Sequence, residues 1–175
     1  MPSNKRKVSS STNTVDAKRG KYTDHWSSGL LSAMADPEYV VASESRTVVI
    51  KDRYPKAEFH YLVLPRENIN SLKSVKPEHL ELLKHMHDVG DKLIKNDIHE
   101  GKTFRMGYHA EASMDRLHLH VISDDMNSPS LKTKKHWNSF TTDFFLRSES
   151  MLDFIECFYT NVFGEIVNFP YLVGS

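Results

Sequence analysis

Arg116-Leu117-His118-Leu119-His120-Val121-Ile122 alternates between apolar side chains and basic or imidazole ones as far as Val121. A period of two marks a β-strand with one buried face. Leu117, Leu119 and Val121 then share one face, and Arg116, His118 and His120 stand side by side on the other. Two imidazoles and a guanidinium make a poor core and a good polyanion site. His109, in Gly107-Tyr108-His109-Ala110, lies nine residues upstream of His118, close enough to return on a neighbouring strand. A neutral imidazole is a nucleophile, and its neighbours can stabilise phosphate charge or carry protons. Three readings fit these residues: delivery of a phosphate to His118, zinc held by histidines at i and i+2, or half-exposed side chains without chemistry. No cysteine or clear carboxylate completes a zinc set nearby.

The chain has 175 residues, a length that suits one domain with a tail. Such a domain buries roughly two thirds of its unfolded surface, so it needs no covalent staple. Cys157 is the single cysteine, which excludes internal disulfides and a zinc site of several thiolates, and suits a reducing compartment. No apolar run approaches the roughly 20 residues of a membrane span, and no signal peptide is visible.

Formal net charge is +0, yet the charge is uneven. Residues 1–21 are polar and basic without apolar periodicity, and are expected to be a disordered tail. They carry Lys5-Arg6-Lys7 and Lys18-Arg19-Gly20-Lys21, spaced like a bipartite nuclear import signal or a solvated basic arm with weak nucleic-acid affinity. A domain is expected over 22–157, with 158–175 as a C-terminal tail.

Leu30, Leu31 and Met34 suit a short amphipathic helix that Pro37 ends. Trp26, ahead of it, is either a core anchor or a platform for a base. Tyr39–Ala42 and Thr47–Lys51 read as a hairpin, and Phe59–Pro65 as a third, central strand. Pro77–Asn96 is the clearest helix, with Leu80, Leu83, Met86, Val89 and Leu93 as its apolar stripe. Phe104–His109 and 116–122 complete a sheet of about five strands. Thr141–Cys157 reads as a C-terminal helix. The class is α+β, with an antiparallel sheet because the connections are short. Lys132, Lys134, Lys135, His136 and Trp137 interleave basic and aromatic side chains, as a nucleic-acid backbone site or an ordinary solvated cluster would.

The His-Leu-His-Val-Ile run of 118–122, after Ser113-Met114, resembles the histidine triad superfamily of nucleotide hydrolases and transferases. The likeness runs from about Asp24 to Leu146. It includes His25-Trp26-Ser27, Val48-Val49-Ile50-Lys51-Asp52-Arg53-Tyr54-Pro55-Lys56, Gly107-Tyr108-His109-Ala110 and Lys134-Lys135-His136-Trp137-Asn138-Ser139-Phe140. More narrowly, these segments resemble the branch that removes adenylate from DNA 5′ ends. The resemblance implies a histidine-triad-like fold and assigns roles. His118 matches the nucleophile that forms a covalent histidine–AMP intermediate. His120 matches the position that holds phosphate oxygens, and His109 the histidine that assists departure of the DNA phosphate. Ser113 and Lys56 match residues near the phosphate, and Asp52 the carboxylate on the ribose hydroxyls. Trp26, Ser27 and Leu30 match the segment beside the base. Lys132, Lys134, Lys135 and His136 would lie along DNA.

No metal or cofactor is implied. The expected partner is nicked double-stranded DNA with an adenylated 5′ end, with AMP as product, no membrane, a monomeric state and a nuclear location. Arg116 stands where the full triad has its first histidine. The paired cysteines of that branch's C-terminal zinc finger are not in this sequence, and neither is the forkhead-associated domain of some members. Phosphorylation-dependent docking is therefore not expected. Two other functions fit the pattern: a hydrolase of small adenosine phosphoramidates or dinucleotide polyphosphates, and a non-catalytic nucleotide or DNA-end binder.

Overall fold

The structure, a computed structural model, describes residues 29–161, with side chains described to residue 157. The expectations for 1–21, Trp26, Ser27 and 162–175 fall outside the described residues.

The described residues open with helix α1 (Gly29–Ala35), followed by strands β1 (Val40–Ser43), β2 (Thr47–Lys51) and β3 (His60–Pro65). A 3-10 turn at Pro77–His79 leads into α2 (Leu80–Ile94), then β4 (Phe104–His109) and β5 (Leu119–Ser123). Helix α3 (Lys134–Thr141), strand β6 (Phe145–Arg147) and helix α4 (Ser148–Asn161) complete the described residues. These strands form one sheet in the order β1-β2-β3-β5-β4-β6, each neighbour antiparallel. No helix among the described residues is long and apolar enough to cross a membrane.

Alternation along the strands sorts the sheet into two faces. Tyr61 and Val63 on β3, Met106 and Tyr108 on β4, and Leu119 and Val121 on β5 join Leu82, Leu83 and Met86 of α2 in the main core. Each of those three α2 side chains is at most 1% exposed and stabilises the fold by about 1.5–3 kcal/mol. Gly90 lets α2 approach closely: a Cβ there would lie 2.6 Å from Met106 Sδ and 3.1 Å from Val121 Cγ2. The other face carries two smaller clusters. Leu30 and Ala33 of α1 pack on Val48, Ile50, Leu62 and Leu64. Phe140 of α3 and Phe145 of β6 pack with Ala57, Ile122 and Met126.

Among the described residues the sheet has six strands rather than about five, and the expected helix over 141–157 divides into the end of α3, β6 and α4. Phe145-Leu146-Arg147 pairs with His109, Tyr108 and Gly107, so bonds to the edge of β4 override the local helical pattern. Leu31 is 53% exposed, not part of the apolar face of α1, and Ala33 takes its place. Leu82, absent from the expected stripe, is a core residue of α2. His85 and His87 have structural partners. His85 Nε2 lies 3.3 Å from Glu44 Oε2, and His87 Nδ1 lies 2.9 Å from the buried Ser148 Oγ at the start of α4.

Candidate active site

The alternation that sends Leu119 and Val121 to the main core sends His120 to the opposite face, between the two smaller clusters. His109 reaches the same face from β4, since Gly107 pairs with His120. His118 precedes β5, and its ring packs edge-on to His120 at 4.7 Å between centroids. His109 and His120 are 4.4 Å apart. A fourth imidazole, His60 at the start of β3, sits 5.2 Å from His120. Phe140 supports this group from below, edge-on to His120 at 5.2 Å, His109 at 4.7 Å and His60 at 5.4 Å.

Burial decides the protonation of these rings, because a low-dielectric site disfavours the charged form. Burial is the largest cause in every case. It lowers His60 and His109 to about 4, His120 well below the usual imidazole range, and His118 in the same direction. The Arg116 carbonyl and Asp52 work the other way on His118. All four are therefore neutral near pH 7, and each carries one N–H.

The hydrogen bonds fix which nitrogen carries it. His118 Nδ1 lies 2.7 Å from the Arg116 carbonyl oxygen, which can only accept. The proton is on Nδ1, and the lone pair of His118 is on Nε2. The Lys56 amide donates to His60 Nδ1 at 3.2 Å, so His60 carries its proton on Nε2. That N–H donates to His120 Nδ1 at 2.9 Å, which leaves the His120 proton on Nε2. Asp52 Oδ2, 3.5 Å from His60 Nδ1, is too distant to reverse this order. Among the described residues, three buried side-chain atoms have no hydrogen-bond partner: Nε2 of His120, Nε2 of His109 and Nε of Arg116. The site thus offers a nucleophilic nitrogen on His118 beside an N–H donor on His120.

Asp52 accepts from the Tyr54 amide through Oδ1 at 2.7 Å, leaving Oδ2 toward the imidazoles. Burial lowers the Lys56 ammonium, with Asp52 opposing and Lys132 adding to the effect, and Lys56 Nζ donates to the Tyr54 carbonyl. Asp52, His60 and His120 each offer a ligand atom within 4.8 Å of one another. A cation could sit there only by breaking the His60–His120 hydrogen bond.

The structure brings together His118, His120, His109, Asp52 and Lys56. Ser113 is exposed on the turn before Arg116. Leu30 is 5% exposed and committed to the α1 cluster. Lys132, Lys134 and Lys135 are exposed at and before the start of α3, where the Thr133 hydroxyl caps the His136 amide and His136 Nδ1 accepts from the Lys132 amide.

Arg116 departs most from the sequence reading. It lies outside the ladder of β5 with a φ of 109°, and its guanidinium donates to the carbonyls of Pro65, Arg66 and Glu67 and to Asn68 Oδ1. It belongs to no polyanion-binding face, because those loop acceptors take both of its Nη groups, while its Nε is buried without a hydrogen-bond partner. Sequence reasoning missed His60 and Phe140. The signal for His60 was its place in an otherwise apolar strand, on the same face as Leu62 and Leu64.

A family model described as "Scavenger mRNA decapping enzyme C-term binding" matches residues 25–136. Aprataxin of Gallus gallus is 57% identical over 138 residues, covering 78% of this chain and 44% of that protein. Aprataxin of Danio rerio is 53% identical over 134 residues, 75% of this chain and 41% of that protein. This chain thus spans less than half the length of these relatives. Among solved structures, the aprataxin ortholog Hnt3 in complex with DNA superposes with a TM-score of 0.54 at 27% identity, over 73% of this chain and 74% of that one. Fold, histidine cluster and these matches agree, and the chain belongs to the scavenger mRNA decapping enzyme C-terminal binding family, within the histidine triad superfamily.

Proposed function

We propose that this domain hydrolyses adenylate from DNA 5′ ends left by abortive ligation, as a step of single-strand break repair. The observation that carries the reading is the commitment of His118 Nδ1 to the Arg116 carbonyl, which leaves Nε2 as the nucleophilic nitrogen of a buried ring. Similarity to the aprataxins, and the DNA complex of one ortholog, support DNA as the substrate class.

In the first step His118 Nε2 attacks the adenylate phosphorus. A P–N bond forms, the P–O bond to the DNA 5′-phosphate breaks, and the electron pair leaves on that phosphate. The His120 Nε2–H donates to a phosphate oxygen as charge builds, and the Arg116 carbonyl stabilises the cationic ring through Nδ1–H. Neutral His109 faces the departing phosphate. In the second step water attacks phosphorus, the P–N bond breaks and AMP leaves; His109 bonds the Ser139 backbone, and its other, partnerless nitrogen, Nε2, takes the water proton.

Asp52 is assigned to the ribose hydroxyls, Lys56 and Ser113 to the phosphate, and Trp26, Ser27 and Leu30 to the side of the base. Lys132, Lys134, Lys135 and His136 are assigned to the DNA backbone, with a nicked duplex as partner and the monomer as the acting form. The basic clusters at 5–7 and 18–21 support nuclear action.

Acid-quenching a reaction with 5′-adenylated DNA is not suitable, because phosphoramidates are acid-labile. An alkaline quench followed by peptide mapping should find AMP on His118. An adduct elsewhere, or hydrolysis undiminished in His118→Ala, would sink the reading.

A further inference from the structure

Arg116 occupies the position of the first triad histidine, yet its side chain does not do an imidazole's work. Its φ of 109° is a conformation that side chains with a Cβ rarely adopt, and no glycine lies beside it. Tertiary bonds hold it there. The Arg116 amide donates to Asn70 O and the Leu117 amide to Ile69 O, each at 2.7 Å. Guanidinium Nη2 is shared by the carbonyls of Pro65, Arg66 and Glu67 at 2.8, 2.9 and 3.1 Å, and Nη1 reaches Asn68 Oδ1 at 3.2 Å. The carboxylate of Glu67 is taken by Arg46 at 2.6 Å, so the clamp is made of neutral acceptors. Residue 116 is thereby fixed to the 65–70 segment from both its backbone and its side chain. The one backbone group it turns toward the pocket is its carbonyl, 2.7 Å from His118 Nδ1.

We propose that Arg116 is a positioning residue for the nucleophile. Its guanidinium, clamped to the 65–68 segment, holds its own carbonyl against His118 Nδ1 and so keeps Nε2 unprotonated and aimed. This rests on the reading of His118 as the nucleophile. Backbone strain of this kind persists only where surroundings over-determine it, and it gathers at functional sites. A planar guanidinium spans several carbonyls at once, which an ammonium cannot do. The charge of Arg116 therefore serves the loop and not the phosphate.

The test uses Arg116→Met, Arg116→Lys and Asn68→Ala in the full chain. The readouts are the ¹⁵N signals of the His118 ring without substrate, and single-turnover AMP release from a 5′-adenylated nicked duplex. Both Arg116 variants should lose the uniform Nδ1–H form of His118. Their single-turnover rate at saturating protein should fall about tenfold to hundredfold, the range for loss of a hydrogen bond to a group that becomes charged in the step. Asn68→Ala, which cuts one bond of the clamp and leaves residue 116 in place, should move the ring signal the same way by less. An unmoved ring signal in the variants that fold overturns the proposal. So does full activity in Arg116→Lys, which would mean that the charge alone matters. A ring signal that shifts in a protein that releases no AMP leaves the clamp standing and removes the functional reading instead.

Discussion

His60 Nε2 lies 2.9 Å from His120 Nδ1, and that bond leaves the proton of neutral His120 on Nε2. His60 touches no reacting atom in this account, yet without it His120 is free to present a lone pair where a donor is needed. His60→Leu keeps the volume roughly and removes the donor. It should lower the single-turnover rate, by up to about the hundredfold lost with one oxyanion donor, and cost about 1–3 kcal/mol for the unsatisfied Nδ1. Stopped assays and urea unfolding measure the two effects separately. An unchanged rate would mean that His120 needs no fixed tautomer.

The buried imidazoles make stability fall with acid. Unfolded histidines take up protons near pH 6.5, whereas folded His60 and His109 resist until about 4. Between those values the unfolded state binds more protons, so stability rises with pH. It is fully present above about 6.5 and is lost as pH drops toward 4, by roughly 1 kcal/mol per pH unit for each such ring. Urea midpoints between pH 4 and 7 should show this slope, and His60→Leu should flatten it. A midpoint independent of pH over that range would contradict the buried neutral cluster.

Two glycine substitutions should differ in severity. At Gly107 a Cβ would lie 2.5 Å from the Leu146 carbonyl and 2.7 Å from the Phe145 ring, and neither backbone nor packed ring can yield cheaply. Gly107→Ala should cost about 1–3 kcal/mol by overpacking and loosen β6, whose Phe145 backs His109 at 6.1 Å. At Gly90 the nearest atom belongs to flexible Met106, and alanine gains about 1 kcal/mol of helix propensity. Gly90→Ala should therefore be the milder change. Thermal melts of both variants decide the order, and the reverse ranking would count against the packing described.

Much of this arrangement was legible in the chain. The hairpin, the central strand and α2 follow from apolar period and from Pro37, Pro65 and Pro77. His109, His118 and His120 meet because period two puts them on one face. What was hidden depends on distance in sequence. Phe145-Leu146-Arg147 becomes a strand only because the edge of β4 is there to pair with it. Arg116 leaves the strand pattern because carbonyls some fifty residues earlier capture its guanidinium. His60 reads as one polar residue in an apolar strand until His120 comes to face it.

DNA binding should be strongly salt-dependent if the exposed Lys132, Lys134 and Lys135 follow the backbone. Replacing one of them with alanine should reduce the slope of log affinity against log salt by about 1, while turnover of a small adenosine phosphoramidate stays the same. Filter binding across a salt series gives the slope. A slope unchanged in the triple alanine variant would place the DNA elsewhere.

The most direct measurement is single-turnover release of AMP from a 5′-adenylated nicked duplex by the wild type beside His118→Ala. Release by the wild type, and none by the variant at equal folding by circular dichroism, is the predicted result. An intact adenylated nick after incubation with folded wild type, under conditions where it cleaves a small adenosine phosphoramidate, would contradict the account and make this chain a small-nucleotide hydrolase.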